Sequence, residues 1–260
     1  MSEIVIRVLE SIEDFEQAVE IEIAVWGVQD RDVIPSSLMQ AIRSAGGISL
    51  GAYDGEVMIG MSVAFPGFRN GTPMLWSHVT GVLSDYQHRN VGYRLKQAQA
   101  EWGRAAGYRE IRWTFDPLQA GNANFNLRML GVTSNLYYIN FYGTMNDAIN
   151  RGIASDRLEA SWDLTTTHQP RVSNDYANTS PYLLSGAEDR PVSHSEAIGQ
   201  NFIRIEIPCS LKALDVASRK AWRFALREAL IQAFNAGYTA VDFLRDADRC
   251  AYLLRLDANL

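Results

Sequence analysis

The sequence predicts an α/β protein built from two successive regions of alternating strands and helices. Three stretches carry that reading. Ile48 to Tyr53 and Val57 to Phe65 are apolar, strand-like runs separated by Asp54-Gly55, a strong hairpin signal. Leu75 to Leu83, a loop, a helix-compatible run from Tyr93 and the strand-like Glu110 to Phe115 make a βαβ unit, whose strands ordinarily lie parallel. Further on, Phe202 to Ile207 alternates cleanly between apolar and polar residues and is followed by an amphipathic helix and another strand.

In chain order, Ile4 to Leu9 reads as the first strand. Ser11-Ile12-Glu13-Asp14 has the form of a capping box, the serine capping and the acid three residues later. In the helix that follows, Phe15, Ala18, Val19, Val25 and Trp26 share one face, with Glu22 in the middle of it. A carboxylate on an apolar stripe is either a satisfied edge residue or a site residue. Pro35-Ser36-Ser37-Leu38 can open a second helix that Gly46-Gly47 would end. After the hairpin and the βαβ unit, Asn124 to Leu130 suggests a short helix before Gly131, and Leu136 to Phe141 a strand rich in tyrosine. Residues 165–199 are polar and rich in Ser, Asn, Pro and Asp, and read as a linker or a surface excursion. Residues 200–260 then form an α/β extension: the strand from Phe202, a helix over Asp215 to Asn235 and a strand over Ala240 to Leu244. About 60 residues make a marginal domain alone, so the extension is expected to pack on the preceding region.

The chain has 260 residues, 47% apolar and 21% charged, long enough to bury a sizeable core. Its net charge of −6 argues against general affinity for nucleic acid or for an anionic membrane surface. No apolar run reaches about 18 residues, the length of a membrane span, and no basic-then-apolar leader opens the chain. The expectation is a cytoplasmic protein. Cys209 and Cys250 form no spaced set, so neither a disulfide framework nor a metal site is expected. The sequence is compatible with a homodimer.

The most informative segment is Val82-Leu83-Ser84-Asp85-Tyr86-Gln87-His88-Arg89-Asn90-Val91-Gly92. A strand that turns sharply into a helix leaves the first helical N–H groups without partners. With the positive end of the helix dipole, these make an anion site. Gly92 lets the backbone approach a ligand, and Asn90 tolerates positive φ. The spacing Gln87-x-x-Asn90-x-Gly92 resembles the pyrophosphate loop of the GCN5-related N-acetyltransferases, which holds the diphosphate of an acyl-coenzyme A. Asn90 stands where that pattern has its first glycine.

That resemblance covers about residues 4–164. It implies a mixed central sheet of the acetyltransferase type in residues 1–164, whose two parallel central strands splay apart to admit the pantetheine arm. It implies acetyl-CoA or another acyl-CoA as cofactor and a small-molecule amine as acceptor. The diphosphate would rest on backbone amides of Gln87, His88, Arg89, Asn90, Val91, Gly92 and Tyr93. Thr80, Gly81 and Val82 would bond the pantetheine through the backbone, and Asn122 and Asn126 are further candidates for contact near it; the alternative for both asparagines is a capped helix start.

Acyl transfer to an amine needs a proton acceptor, an oxyanion donor and an acid for the departing thiolate. Glu22 and His78 compete as proton acceptor; a histidine on a strand can equally be structural. The family's usual acid is a tyrosine four residues before the glycine that ends the short helix. Leu127 occupies that position here. Tyr138 and Tyr142, on one face of the expected strand, are the substitutes, although tyrosines at such density also serve packing. The set Ser77-His78, Trp113 to Leu118, Asn122, Phe141-Tyr142-Gly143 and Asp156-Arg157 resembles a branch of the family whose genes accompany N-acylamino-acid racemases. That branch is assigned amino-acid N-acyltransferase activity, with succinyl-CoA among the donors. Ser77, Asp116, Arg151 and Arg157 then become candidates for acceptor binding, an arginine taking a carboxylate. An arginine paired with Asp156 is the alternative. The rivals are acylation of a protein N-terminus or an antibiotic amine, and a non-catalytic acyl-CoA sensor.

Overall fold

The computed structural model describes residues 3–27, 33–143, 154–166, 179–187, 190–212, 214–246 and 248–257. The chain divides into two compact units, residues 1–113 with 163–167, and residues 114–162 with 168–260.

The first unit contains β1 (Ile4–Val8), α1 (Ile12–Trp26), α2 (Ser36–Ser44), β2 (Ile48–Asp54), β3 (Val57–Arg69), β4 (Thr72–Val82), a 3-10 turn over Ser84–Arg89, α3 (Val91–Ala105) and β5 (Glu110–Phe115), whose last two residues fall in the second unit. The strand order is β1-β2-β3-β4-β5. β1 to β4 pair antiparallel, and β5 joins β4 in parallel, as a βαβ connection requires. The Ser11–Asp14 capping box forms: the Ser11 hydroxyl accepts from the Asp14 N–H at 3.1 Å, and the Asp14 carboxylate accepts from the Ser11 N–H at 3.1 Å. Asp54-Gly55 turns the β2–β3 hairpin, Gly55 at φ 63°.

Successive residues of β3 face opposite sides of the sheet, which puts helices on both. Met61 and Val63 enter a core with Phe15, Ala18 and Ile21 of α1 and with Met39 and Ile42 of α2. Gly60 and Ser62 face α3 instead: a Cβ on Gly60 would lie 3.4 Å from Leu95, and Ser62 accepts from Gln99.

The second unit contains α4 (Ala120–Ala123), a π-helical turn over Asn124–Met129, β6 (Thr133–Tyr138), β7 (Arg157–Asp163), β8 (Tyr182–Ala187), β9 (Arg190–Ser193), β10 (Phe202–Ile207), α5 (Val216–Asn235), β11 (Tyr238–Arg245) and β12 (Cys250–Leu256). The strand order is β7-β6-β11-β12-β10-β8-β9, all neighbours antiparallel except β10 and β8. β11 meets β6 at Ala240 and Ser134, so residues from both sides of position 200 share one sheet. α5 is capped by the Asp215 carboxylate and buries Trp222, Arg223, Leu226, Ala229, Leu230 and Ala233.

Several expectations shift. The tyrosine-rich strand ends at Tyr138, not Phe141, because the chain turns through Asn140 at φ 50°. Tyr142 therefore lies past the strand, and alternation no longer relates it to Tyr138. The short helix starts at Ala120 and widens to a π-helical turn, with the Leu130 N–H donating to the Phe125 carbonyl at 3.0 Å. β8 and β9, both inside the polar stretch, pair antiparallel. The expectation for the cysteines is overturned: Cys209 and Cys250 form a disulfide, their Cα atoms 5.3 Å apart across 41 residues of sequence. The antiparallel register sets Ile207 opposite Cys250, and Cys209 lies just past that strand end. No described helix is long and apolar enough to cross a membrane.

Two arginines one turn apart on α5 are held by acids. Arg223 meets Asp116 through two hydrogen bonds, 2.7 and 2.9 Å, with both side chains buried. Arg227 meets Asp156 at 2.8 and 3.0 Å, and Tyr137 and the Asn140 N–H also donate to that carboxylate. Burial alone would raise the Asp156 pKa; the hydrogen bonds from Arg227, Tyr137 and Asn140 outweigh it and hold the carboxyl below its usual value. Replacing Arg223 with methionine keeps the bulk and leaves Asp116 buried without its cation. The expected loss is about 3–5 kcal/mol. It should appear as a lower denaturation midpoint, with most of it recovered in the double variant R223M/D116N.

Candidate active site

The site starts from a strand that leaves its neighbour. β4 pairs with β5 at Leu75–Ile111 and Trp76–Arg112, and no further pair is formed among the described residues, although β4 runs on to Val82. On its other edge β4 stays bound to β3, with one irregularity. Ser77 lies opposite Ala64 and Val79 opposite Val63, so His78 is an extra, bulged residue. The parallel strands thus part just where β4 changes its twist, and the segment Thr80-Gly81-Val82 lies beyond the parting.

β4 then passes into α3 through a closely braced loop. The Leu83 N–H still donates to the Ile59 carbonyl at 3.0 Å, and the Tyr86 N–H donates to the Leu83 carbonyl at 2.9 Å. The Gln87 side chain donates to the Val82 carbonyl at 3.3 Å, and Arg89 pairs with Asp54 at 3.2 Å. Asn90 takes the left-handed conformation, φ 58° and ψ 18°, the role a glycine would otherwise fill. The first bond of the helix runs from the Arg94 N–H to the Asn90 carbonyl at 3.0 Å. The N–H groups of Val91, Gly92 and Tyr93 therefore lie outside the helical ladder at the positive end of α3. Gln87 and Arg89 hold the loop; His88 is exposed beside it. Gly81 has its own reason for lacking a side chain: a Cβ there would come within 2.5 Å of the Trp26 ring.

His78 lines a pocket, and Glu22 is hydrogen-bonded to the backbone of another residue that lines it. A pocket of about 500 Å³ is lined by Ile34, Leu38, Ala41, Ile42, Ala45, Phe65, Pro66 and His78. The buried Glu22 carboxylate accepts from the backbone N–H of Ile34, one of the lining residues, at 3.2 Å. Burial raises the Glu22 pKa, partly countered by that hydrogen bond. His78 has a solvent-accessible ring, yet enough protein surrounds it that desolvation lowers its pKa, which favours the neutral imidazole a base requires. A larger pocket of about 690 Å³, lined by Glu13, Glu16 and Glu20 among others, contains none of the expected site residues.

Ser77 has a partner the sequence reading passed over. The buried Lys96 Nζ donates to the Ser77 hydroxyl at 2.9 Å and to the Gln99 carbonyl oxygen at 2.9 Å, and lies 3.6 Å from the centre of the Trp113 ring. Gln99 donates in turn to the Ser62 hydroxyl at 2.9 Å, which meets the Thr80 hydroxyl at 2.9 Å. The available signal was a lysine and an amide on the otherwise apolar buried face of α3, at positions 96 and 99 among Leu95, Ala100 and Gly103.

The remaining candidates belong to the second unit. The Tyr138 hydroxyl donates to Glu159 at 2.6 Å. The Tyr142 hydroxyl lies 3.3 Å from the Thr114 hydroxyl, and its ring packs edge-on against Phe141 and 5.1 Å from the Arg157 guanidinium carbon. Asp116 is taken up by Arg223 and accepts from the Leu118 N–H at 2.9 Å. Arg157 is buried and donates to the Asp156 carbonyl at 2.9 Å. The carboxylate of Asp156 is held by Arg227, not by Arg157. Asn122 is exposed on α4, Asn126 is buried in the π-helical turn, and Leu127 is a core residue. Arg151 lies outside the described residues.

The sequence matches no protein-family model and no curated protein. Solved structures do share the fold. The ribosomal-protein-S18-alanine N-acetyltransferase from Escherichia coli superimposes with a TM-score of 0.50 at 13% identity, over 66% of this chain and 100% of that one. An acetyltransferase of the GNAT family from Streptococcus pneumoniae does so with a TM-score of 0.50 at 17% identity, over 62% and 99%. A putative acetyltransferase from Salmonella typhimurium with its cofactor acetyl-CoA gives a TM-score of 0.50 at 14% identity, over 64% and 96%. At these identities the likeness is one of fold. The chain carries the fold of the GCN5-related N-acetyltransferases, with about a third of its length beyond what those structures cover.

Proposed function

We propose that the protein is an acyl-CoA-dependent N-acyltransferase that transfers an acetyl or succinyl group to the amine of a small molecule by direct attack. The observation that carries this reading is the end of β4. A strand parted from its parallel neighbour leads through a left-handed Asn90 into a helix that offers the N–H groups of Val91, Gly92 and Tyr93. Such a terminus suits a diphosphate. The opened β4 edge at Thr80 to Val82 suits an extended amide-bearing arm, and acyl-coenzyme A has both parts. Release of coenzyme A from acetyl-CoA and succinyl-CoA, assayed over a panel of amines, tests the reading. Tight acyl-CoA binding without turnover on any amine would instead favour the sensor, a reading to which the core residue Leu127 in place of a tyrosine lends support.

In this reading Glu22 or His78 takes the proton from the acceptor ammonium. Tyr138 or Tyr142 supplies the acid, and Asn122 or Asn126 contacts the cofactor. An amino acid is the favoured acceptor, its carboxylate met by Arg157 or Arg151, with Ser77 and Asp116 in supporting roles. The Asp116–Arg223 pair makes a positioning role the simpler one for Asp116.

Gly92→Val places a branched side chain at the turn that would hold the diphosphate. The Michaelis constant for acyl-CoA should rise at least tenfold, about 1.4 kcal/mol, in a variant that still folds; unchanged affinity would remove the loop from the site.

The base can be identified by its titration. A base acts when deprotonated, so kcat/KM should rise with pH through its pKa. For Glu22 that rise lies above the ordinary 4.5, and for His78 below the ordinary 6.5. Glu22→Gln or His78→Gln, whichever removes the base, should lower turnover by roughly 10²-fold or more and flatten the rise. The other variant should keep the profile.

The acceptor class is decided by comparing free amino acids with their amides and with the decarboxylated amines. Amino acids should be acylated at least tenfold more efficiently. Equal rates for all three would mean that no carboxylate is recognised.

A further inference from the structure

A buried polar chain lies under β4, with Lys96 at its closed end. The side chains of Ser77, Lys96, Gln99 and Ser62 are all buried; Thr80 is half-buried and forms the open end. Leu75–Ile111 and Trp76–Arg112 are the last β4–β5 pairs, so Ser77 and Trp113 are the next residues along each strand. Lys96 occupies that apex, its Nζ on the Ser77 hydroxyl and over the Trp113 ring.

Lys96 donates to the side-chain carbonyl oxygen of Gln99, so the Gln99 amide presents its oxygen to the amine. Burial holds the Lys96 pKa well below 10.5, which removes much of the cost of keeping it there. With its oxygen fixed on Lys96, the Gln99 amide must turn its NH₂ to Ser62, which it does at 2.9 Å. The Ser62 hydroxyl then accepts, and its single proton has two acceptors in range, the Thr80 hydroxyl at 2.9 Å and the Val79 carbonyl at 3.3 Å. Either hydroxyl can be the donor in the 2.9 Å Ser62–Thr80 contact; donation from Ser62 completes a chain running Lys96, Gln99, Ser62, Thr80 and leaves Thr80 its own proton to give.

We propose that the Thr80 side chain is a cofactor-binding donor: its hydroxyl, turned outward by a hydrogen-bond chain that Lys96 orients, donates to an amide carbonyl of the pantetheine arm. The inference rests on the reading of β4 as the cofactor strand and adds to it a side-chain contact and a distant positioning residue. Lys96 acts through Gln99 and Ser62 and does not touch the cofactor.

The test is the dissociation constant of acetyl-CoA and of free coenzyme A, measured by titration calorimetry on the full chain. Thr80→Val removes the donor and should weaken both about fivefold, the effect of one neutral hydrogen bond, while Thr80→Ser restores them. Lys96→Met frees the Gln99 amide to flip, and Gln99→Glu makes position 99 an acceptor toward Ser62 while keeping a partner for Lys96. Gln99→Glu reverses the chain and should reproduce the Thr80→Val loss, Lys96→Met should show the same loss in part or in full, and combining either with Thr80→Val should add nothing further. A merely structural network would lower the melting temperature and leave the affinities alone; that result overturns the proposal. So does a fivefold loss with Thr80→Ser, or with acetyl-CoA but not coenzyme A. Should Lys96→Met not fold, Gln99→Glu decides. A wild type that binds acetyl-CoA but acylates no amine would overturn the catalytic reading alone, and one that binds neither ligand would overturn both.

Discussion

The candidate site depends on one constraint: β4 must stay a strand while losing one of its two neighbours. Backbone N–H and C=O groups rarely remain without partners when buried, so a strand leaves its neighbour only where something replaces the ladder. Here the pairing with β5 ends at Trp76, and the bulge at His78 begins the re-aiming of β4 within two residues. β3 holds the other edge throughout, so the strand does not collapse. The apex is filled by Lys96, whose long side chain reaches from α3 to both strands. What lies beyond is a β4 segment that is paired on one edge and, among the described residues, forms no strand pair on the other, followed by a helix terminus rich in N–H donors. Both features suit a cofactor that is an extended diamide ending in a diphosphate.

The same economy of partners governs the charged residues. Glu22 sits on the buried face of α1 because one backbone N–H, that of Ile34, offsets part of its desolvation, and the remainder shows as a raised pKa. Asp156 is buried as well, yet its pKa is lowered, because Arg227, Tyr137 and the Asn140 N–H all donate to it. The contrast separates two kinds of buried carboxylate. A fully donated one is a fixed anion that anchors the fold; a poorly donated one can change its protonation during a reaction. By that measure Glu22 belongs among the chemical candidates, whereas Asp116 and Asp156 belong with the arginines of α5 that tie residues 116 and 156 to the C-terminal helix.

Elements specified by local chemistry were legible in the sequence. The Ser11–Asp14 box, the Asp54-Gly55 turn and the alternation of Phe202 to Ile207 each act over a few residues, and each reads the same in the chain and in the fold. The strand–loop–helix at 82–92 was legible for the same reason: Asn90, left-handed at φ 58°, marks a turn that few other non-glycine residues tolerate. β12 was not, because Cys250 to Leu254 is buried on both faces and shows no period of two. β7 was hidden by Arg157 and Glu159, polar residues whose burial is tolerable only with partners such as Tyr138, which acts from another strand.

The sequence by itself determined the α/β class, the position of the strand–loop–helix turn at Asn90 and the identity of the titratable candidates, since these follow from backbone preference and side-chain type at short range. Tertiary structure alone decided which of those residues have partners. It gave Asp116 to Arg223 across 107 positions, Cys209 to Cys250 across 41, and Lys96 to Ser77 across 19. No spacing rule encodes such pairs. They form because a buried polar atom must find a partner wherever the packed chain provides one, and that location is fixed only when the sheet has been assembled.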